Sequence, residues 1–173
     1  RIRKLHDGFI EAGAAIILTN SFGGTRHRLK LHHAQDRVHE LNRLAAQIAR
    51  SAADEAGRMV IVAGSVGPTG ELLQPLGAMT YEEAVEAFAE QIEGLKAGGA
   101  DVAWIETMSA PQEIRAAAEA AIRVGLPYTF TASFDTAGRT MMGLAPGDIH
   151  GVAEGLGALP AGIGANCGVG ASD

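Results

Sequence analysis

The chain has 173 residues, of which 47% are hydrophobic and 20% charged, a composition that suits one domain with a sizeable core and excludes a disordered chain. Its formal charge of −6, without any basic cluster, argues against nucleic acid as a partner. A single cysteine cannot close an internal disulfide and no apolar run nears the roughly 20 residues of a membrane span, so the expected protein is cytoplasmic and not membrane-bound.

The opening stretch RIRKLHDGFIEAG is already in helical periodicity, with Leu5, Phe9 and Ile10 on one face and Gly13 as its stop. The first strand-like run follows, AAIILTN (14–20), and then a helical segment from Gln35 to Ala56 with an apolar stripe of Val38, Leu41, Leu44, Ile48 and Ala52. The run MVIVAGS (59–65) leads through a Gly/Pro-rich loop, GSVGPTGELLQPLG (64–77), into a second helix. There Thr80 and Glu83 form a capping-box pattern, and Val85, Phe88, Ile92 and Leu95 make the buried stripe. After DVAWIET (101–107), Ser109 and Gln112 repeat the capping pattern and Gly125 closes a third helix. YTFTASF (128–134) and AGIGANC (161–167) complete five strand-like runs.

These runs are continuously apolar, as parallel strands covered on both faces require, and helices separate them. The order is one helix, four βα units and a final strand. Two architectures produce that order, an open doubly wound sheet and part of a (β/α)8 TIM barrel. No G-x-G-x-x-G follows a strand, which weakens a dinucleotide fold, and the barrel is expected. The chain starts without methionine and stops just after a strand, so residues 1–173 are expected to be one incomplete barrel domain, the interior of a longer protein.

Function in parallel α/β folds gathers where strands end, and here those ends carry Thr19, Asn20, Ser65, Glu106, Thr107, Ser133, Asn166 and Cys167. Asn20 and Ser65 also suit plain turn chemistry. Glu106 follows a run that should be buried, so its carboxylate needs a partner. That partner is either a basic side chain on a neighbouring strand or a ligand ammonium, and no strand run contains Lys or Arg. Cys167 reads as a small buried hydrophobe, a nucleophile lacking a nearby histidine base, or a metal ligand needing two or three further ligands. His27, His32, His33 and His39 cluster in sequence, but the charged residues among them mark a solvated helix start. The 64–77 loop lacks the G-K-[ST] of a phosphate loop; its glycines suit tight turns, or backbone N–H groups lying close to a substrate.

Five motifs, GAAIILTNSFGGTRHRL, VAGSVGPTGELL, DVAWIETMSAPQEIRAA, SFDTAGRTMMGL and GIGANCGVG, appear in the order seen in homocysteine S-methyltransferases, and the chain resembles that family over nearly its whole length. The resemblance implies a TIM barrel, here covering about strands 2 to 6. It also implies a catalytic zinc held by three cysteine thiolates, the first following Asn at the end of the sixth strand. Cys167 matches that ligand. The other two belong to a Gly-Gly-Cys-Cys-Gly motif after the eighth strand, outside this sequence, as is the family's first strand with its acidic substrate-binding residue. Glu106 would pair with the homocysteine amino group, and Asn20 and Ser65 are the other expected substrate-binding residues.

The implied reaction is zinc-dependent transfer of a methyl group from a small-molecule donor to the thiol of homocysteine, giving methionine. In the betaine-using branch aromatic residues enclose the quaternary ammonium. One of those positions falls at Thr107 here and the other near Phe22, so TNSFGGTRHRL is closer to the methionine-synthase and S-methylmethionine style. The readings set against this one are a non-catalytic amino-acid-binding or packing segment, and a lyase-type barrel enzyme using Glu106 as base.

Overall fold

The computed structural model describes residues 1–168. The elements are α1 (Ile2–Glu11), β1 (Ile16–Leu18), α2 (Arg26–Lys30), a 3₁₀ turn (Gln35–Arg37) running into α3 (Val38–Asp54), β2 (Ile61–Val66), α4 (Tyr81–Ala97), β3 (Val102–Met108), α5 (Pro111–Val124), β4 (Tyr128–Ala132), a 3₁₀ segment (Pro146–Ala153) and β5 (Gly162–Ala165). The strands form one all-parallel sheet in the order β1-β2-β3-β4-β5. Strand β2 pairs with both β1 and β3, and the order never reverses. This is the arrangement of consecutive barrel strands, and it rules out the doubly wound alternative, whose order must switch.

Residues opposite each other in parallel register share a face, so the register sorts the sheet into two rows. Ile17, Val62, Ala103, Ile105, Met108, Phe130 and Ala132 lie in one row, are no more than 3% exposed, and pack on the helices. The other row runs through Ile16 and Leu18, Ile61 and Ala63, Ser65, Trp104, Thr129 and Thr131, and Gly162 and Gly164. This row is the concave side, and Ile16, Leu18 and Ile61 remain 41%, 38% and 36% exposed on it. The strands are thus continuously apolar, but helices cover only one face.

Helix α4 follows its sequence closely. Thr80 accepts from the Glu83 N–H at 3.1 Å while Glu83 accepts from the Thr80 N–H at 2.7 Å, and Val85, Phe88, Ile92 and Leu95 are all buried. Four expectations need correcting. Helix α3 turns an alanine face inward (Ala45, Ala46, Ala49, Ala52, Ala53), leaving Leu44 and Ile48 at 39% and 36% exposure. The cause is close approach: a Cβ on Gly98 of the α4 cap would overlap the Arg43 carbonyl and Ala46 of α3, leaving no room for leucine. Helix α5 is capped at Ala110 without a side-chain bond, since the Ser109 carbonyl is engaged by the Thr140 hydroxyl at 2.7 Å and Pro111 starts the helix. After β4 only a 3₁₀ segment forms, because Pro146, Gly147 and Gly151 deny an α-helix its propagation. In α1, Leu5 and Phe9 are 55% and 56% exposed, and Ile10 alone of the predicted face packs on the core.

Candidate functional site at the strand ends

Ser65 closes β2 on the concave row, buried to 3% exposure, and its hydroxyl donates to Glu106 Oε1 at 2.6 Å. The Ser65 N–H donates to Thr19 Oγ1 at 2.9 Å, and the Ser21 hydroxyl donates to the Ser65 carbonyl at 2.8 Å. Glu106 is half-buried, and among the described residues no Lys, Arg or His forms an ion pair with it. Its Oε2 carries no hydrogen bond among those residues.

Beside Glu106 the ladder is broken. Register runs Ile105↔Phe130 and then Met108↔Ala132, so Glu106 and Thr107 together stand opposite Thr131. This is a β-bulge, a device that re-aims side chains. It puts both Glu106 and Thr107 to use at the strand end and returns Met108 to the helix-facing row. Thr107 takes φ +60°, a conformation rare for a β-branched residue, which persists only where the surroundings enforce it.

Asn166 supplies that enforcement. Its Oδ1 accepts from the Thr107 N–H at 2.9 Å and from the Thr131 hydroxyl, while its Nδ2 donates to Thr107 Oγ1 at 2.7 Å and to Cys167 Sγ at 3.3 Å. All four hydrogen-bonding positions of the amide are used. Cys167 itself lies at φ +58°, exposed, with its sulfur turned toward Thr107 at 4.0 Å from Oγ1. Ser65, Glu106, Asn166 and Cys167 are therefore joined through Thr107 at the C-terminal ends of β2, β3 and β5. Asn20 stands apart. It is exposed, lines a groove with Leu41, Asn42 and Leu44 of α3, and has no hydrogen bond to this cluster among the described residues; Thr19 reaches Ser65 instead.

Sequence reading missed Glu113, which lies in the first turn of α5 and is 6% exposed. It accepts from the Thr69 N–H at 2.9 Å and the Thr69 hydroxyl at 2.7 Å, pinning the 64–77 loop to the helix, and it lines a cavity of about 470 Å³ with Leu72, Leu76 and Met142. The loop N–H at Thr69 is thereby committed to the protein. Burial holds the Glu113 carboxyl above its ordinary range, and the two Thr69 bonds pull the other way less strongly. A carboxyl raised in the folded state contributes stability that is fully present below its unfolded pKa of about 4.3 and is lost as pH rises through the folded value. Glu113→Gln keeps an acceptor for both Thr69 donors without the charge. Thermal melting should place this variant above wild type at pH 7, with the gap closing near about pH 4, where the wild-type carboxyl is also largely neutral.

A thiol, a fully hydrogen-bonded amide and a half-buried carboxylate thus stand together at the C-terminal ends of strands in one parallel barrel-type sheet, the end where functional residues of such folds gather. The homocysteine S-methyltransferase family model matches residues 1–173, and the chain belongs to that family. It is 32% identical to methionine synthase of Mycobacterium tuberculosis (strain ATCC 25618 / H37Rv) over 181 residues, covering 99% of this chain and 15% of the relative. It is 30% identical to methionine synthase of Mycobacterium leprae (strain TN), again covering 15% of that protein. Among solved structures it is similar to the oxidized form of the homocysteine methyltransferase MmuM from Escherichia coli, with a TM-score of 0.79 and 25% identity over 96% of this chain and 61% of that one. The chain thus spans about a seventh of the curated relatives' length and three fifths of the solved one.

Proposed function

We propose that this chain forms part of an enzyme that transfers a methyl group to the thiol of homocysteine, giving methionine. The observation that carries the reading is the Ser65–Glu106 pair beside Asn166 and Cys167, in a chain of this family. Glu106 has one oxygen oriented by Ser65 and the other free of protein hydrogen bonds, which suits it to receive the substrate ammonium. No guanidinium or ammonium of the described residues competes for it. A base abstracting a proton, as in a lyase, would serve no purpose for the exposed thiol two residues beyond β5.

The family implies zinc. Among the described residues no three His, Cys, Asp or Glu side chains converge as a metal site, so those residues offer Cys167 without partner ligands. Cys167 fits as one member of a larger set: it is a free cysteine with an exposed sulfur, and an N–H from Asn166 fixes the direction of that sulfur. A reducing cytoplasmic setting would keep it so. When bound, zinc supplies acidity to the substrate thiol, which has a pKa near about 8.5 when free. The chain's own residues do the rest. Glu106 anchors the ammonium end, Ser65 holds Glu106, and the Thr107–Asn166 lock fixes the thiol of Cys167 relative to both. The substrate sulfur then forms its bond to the methyl carbon as the donor's bond to that carbon breaks, and the thiol proton leaves. Such positioning is a large part of the rate enhancement available to a bimolecular transfer.

Phe22 lies across Gly67, where any Cβ would press on its ring, and is 39% exposed beside the site. With Thr107 in place of a second aromatic, the geometry favours donors other than betaine. The test is methionine formation by the full-length protein from L-homocysteine with S-methylmethionine, methylcobalamin or betaine in turn. Methionine from one of the first two is expected. No methionine from any of the three would overturn the reading.

A further inference from the structure

Two amides are buried in helix faces that are otherwise apolar. Asn42 of α3 is 1% exposed and Gln91 of α4 is 0% exposed, one turn from Phe88 and Leu95. An amide in such a place is costly unless it is hydrogen-bonded. Gln91 Nε2 lies 2.8 Å from the Ser21 carbonyl, 3.3 Å from the Ser65 carbonyl and 3.2 Å from Asn42 Oδ1. All three are acceptors, so only one orientation of the Gln91 amide is allowed; the flipped one would set oxygen against oxygen. Gln91 Oε1 is left without a partner, which shows how strongly the donor side is favoured. Asn42 Nδ2 donates to the carbonyls of Gly24 and Val38 at 2.9 and 2.8 Å, holding Asn42 Oδ1 toward Gln91. The fit is tight: a Cβ on Gly24 would overlap the Asn42 and Gln91 amides.

The consequence falls on Ser65. Its N–H is held by Thr19, and its carbonyl is held by both Ser21 and Gln91. The peptide groups on either side of Ser65 are thereby fixed, and its hydroxyl is the group that orients Glu106. We propose that Gln91, backed by Asn42, is a positioning residue for substrate binding that acts through Ser65 on Glu106, from the helix layer behind the sheet. This rests on the reading of Glu106 as the partner of the homocysteine ammonium.

Steady-state kinetics of the full-length protein test it with four variants. Gln91→Met keeps length and removes the donor, Ser65→Ala removes the orienting hydroxyl, Gln91→Met/Ser65→Ala combines them, and Glu106→Gln reads the underlying assignment. Ser65→Ala removes a hydrogen bond to a charged group and should raise KM for homocysteine by about tenfold, while Gln91→Met removes a neutral bond that holds Ser65 and should raise it by about three- to tenfold, both with kcat little changed. Because both act on one group, the double variant should be no worse than the poorer single one, the sign of coupled residues. A merely structural role for Gln91 would instead add to Ser65→Ala, and that additivity, or an unchanged KM in Gln91→Met, would overturn the proposal. If Gln91→Met does not fold, Gln91→Leu, which also removes the donor to the Ser65 carbonyl, takes its place with the same expected coupling. An unchanged KM in Glu106→Gln would overturn the substrate assignment itself; a raised KM there with Gln91→Met at wild-type level would overturn the positioning role alone.

Discussion

Replacing Cys167 with serine in the full-length protein should remove both bound zinc and methyl transfer. A serine hydroxyl is not ionised at neutral pH and does not substitute for a thiolate on zinc. It would also change what Asn166 Nδ2 meets, since that donor now points at the Cys167 sulfur from 3.3 Å. Loss of an outer-shell partner alone costs about 10–100-fold in metal affinity or activity, so loss of a ligand should exceed about 100-fold. Zinc content by elemental analysis and methionine formation on the same preparation read the two effects together. A Cys167→Ser protein that keeps its zinc and its turnover would make Cys167 an ordinary exposed thiol and remove it from the site.

Glu106→Ala should have the second largest effect, and it should fall on substrate binding. A hydrogen bond involving a charged group contributes about 1.5–3 kcal/mol, which corresponds to a rise in KM for homocysteine of about 10–100-fold. The variant also leaves the Ser65 hydroxyl without its 2.6 Å acceptor, so Ser65 becomes a buried donor in need of water. Because the ammonium contact is present in ground and transition states alike, kcat should change much less than KM. Initial rates over a homocysteine series decide it, and a fall in kcat at unchanged KM would point to a role at the reacting atoms instead.

The parts of the fold that follow from local sequence were legible. The capping box at Thr80 and the stripe from Val85 to Leu95 need only helix geometry, and the five apolar runs needed only period and composition. Which face each helix buries was harder. Leucines at helical spacing in α3 suggested the core, yet alanines line it, because contact with Gly94 and Gly98 of α4 sets the spacing between those helices. That constraint is between elements and has no signature within either. The same holds for Ser109, whose capping pattern was intact but whose carbonyl is claimed by Thr140 from a distant segment.

At the site, residue types at strand ends and the family motifs pointed to Asn20, Ser65, Glu106 and Cys167, of which Asn20 lies apart from the others. Their connections were not legible. The bulge at Glu106 and Thr107 arises from pairing with β4, and the left-handed Thr107 is held by Asn166, 59 residues away. Glu113 was hidden because an acidic residue in a helix's first turn is ordinary capping chemistry. Gln91 and Asn42 did leave a trace, as polar residues lying within apolar stripes, and that trace becomes meaningful only once their acceptors are seen.

The most direct measurement of the central claim compares homocysteine with 4-sulfanylbutanoate, the same thiol acid lacking the amino group. Binding of each would be measured calorimetrically to the full-length wild type and to Glu106→Ala. Wild type is expected to prefer homocysteine by about 10–100-fold, the range of a hydrogen bond to a charged group, and Glu106→Ala to lose most of that preference. Equal binding of the two compounds by wild type, or an undiminished preference in Glu106→Ala, would contradict the assignment of Glu106 to the substrate ammonium.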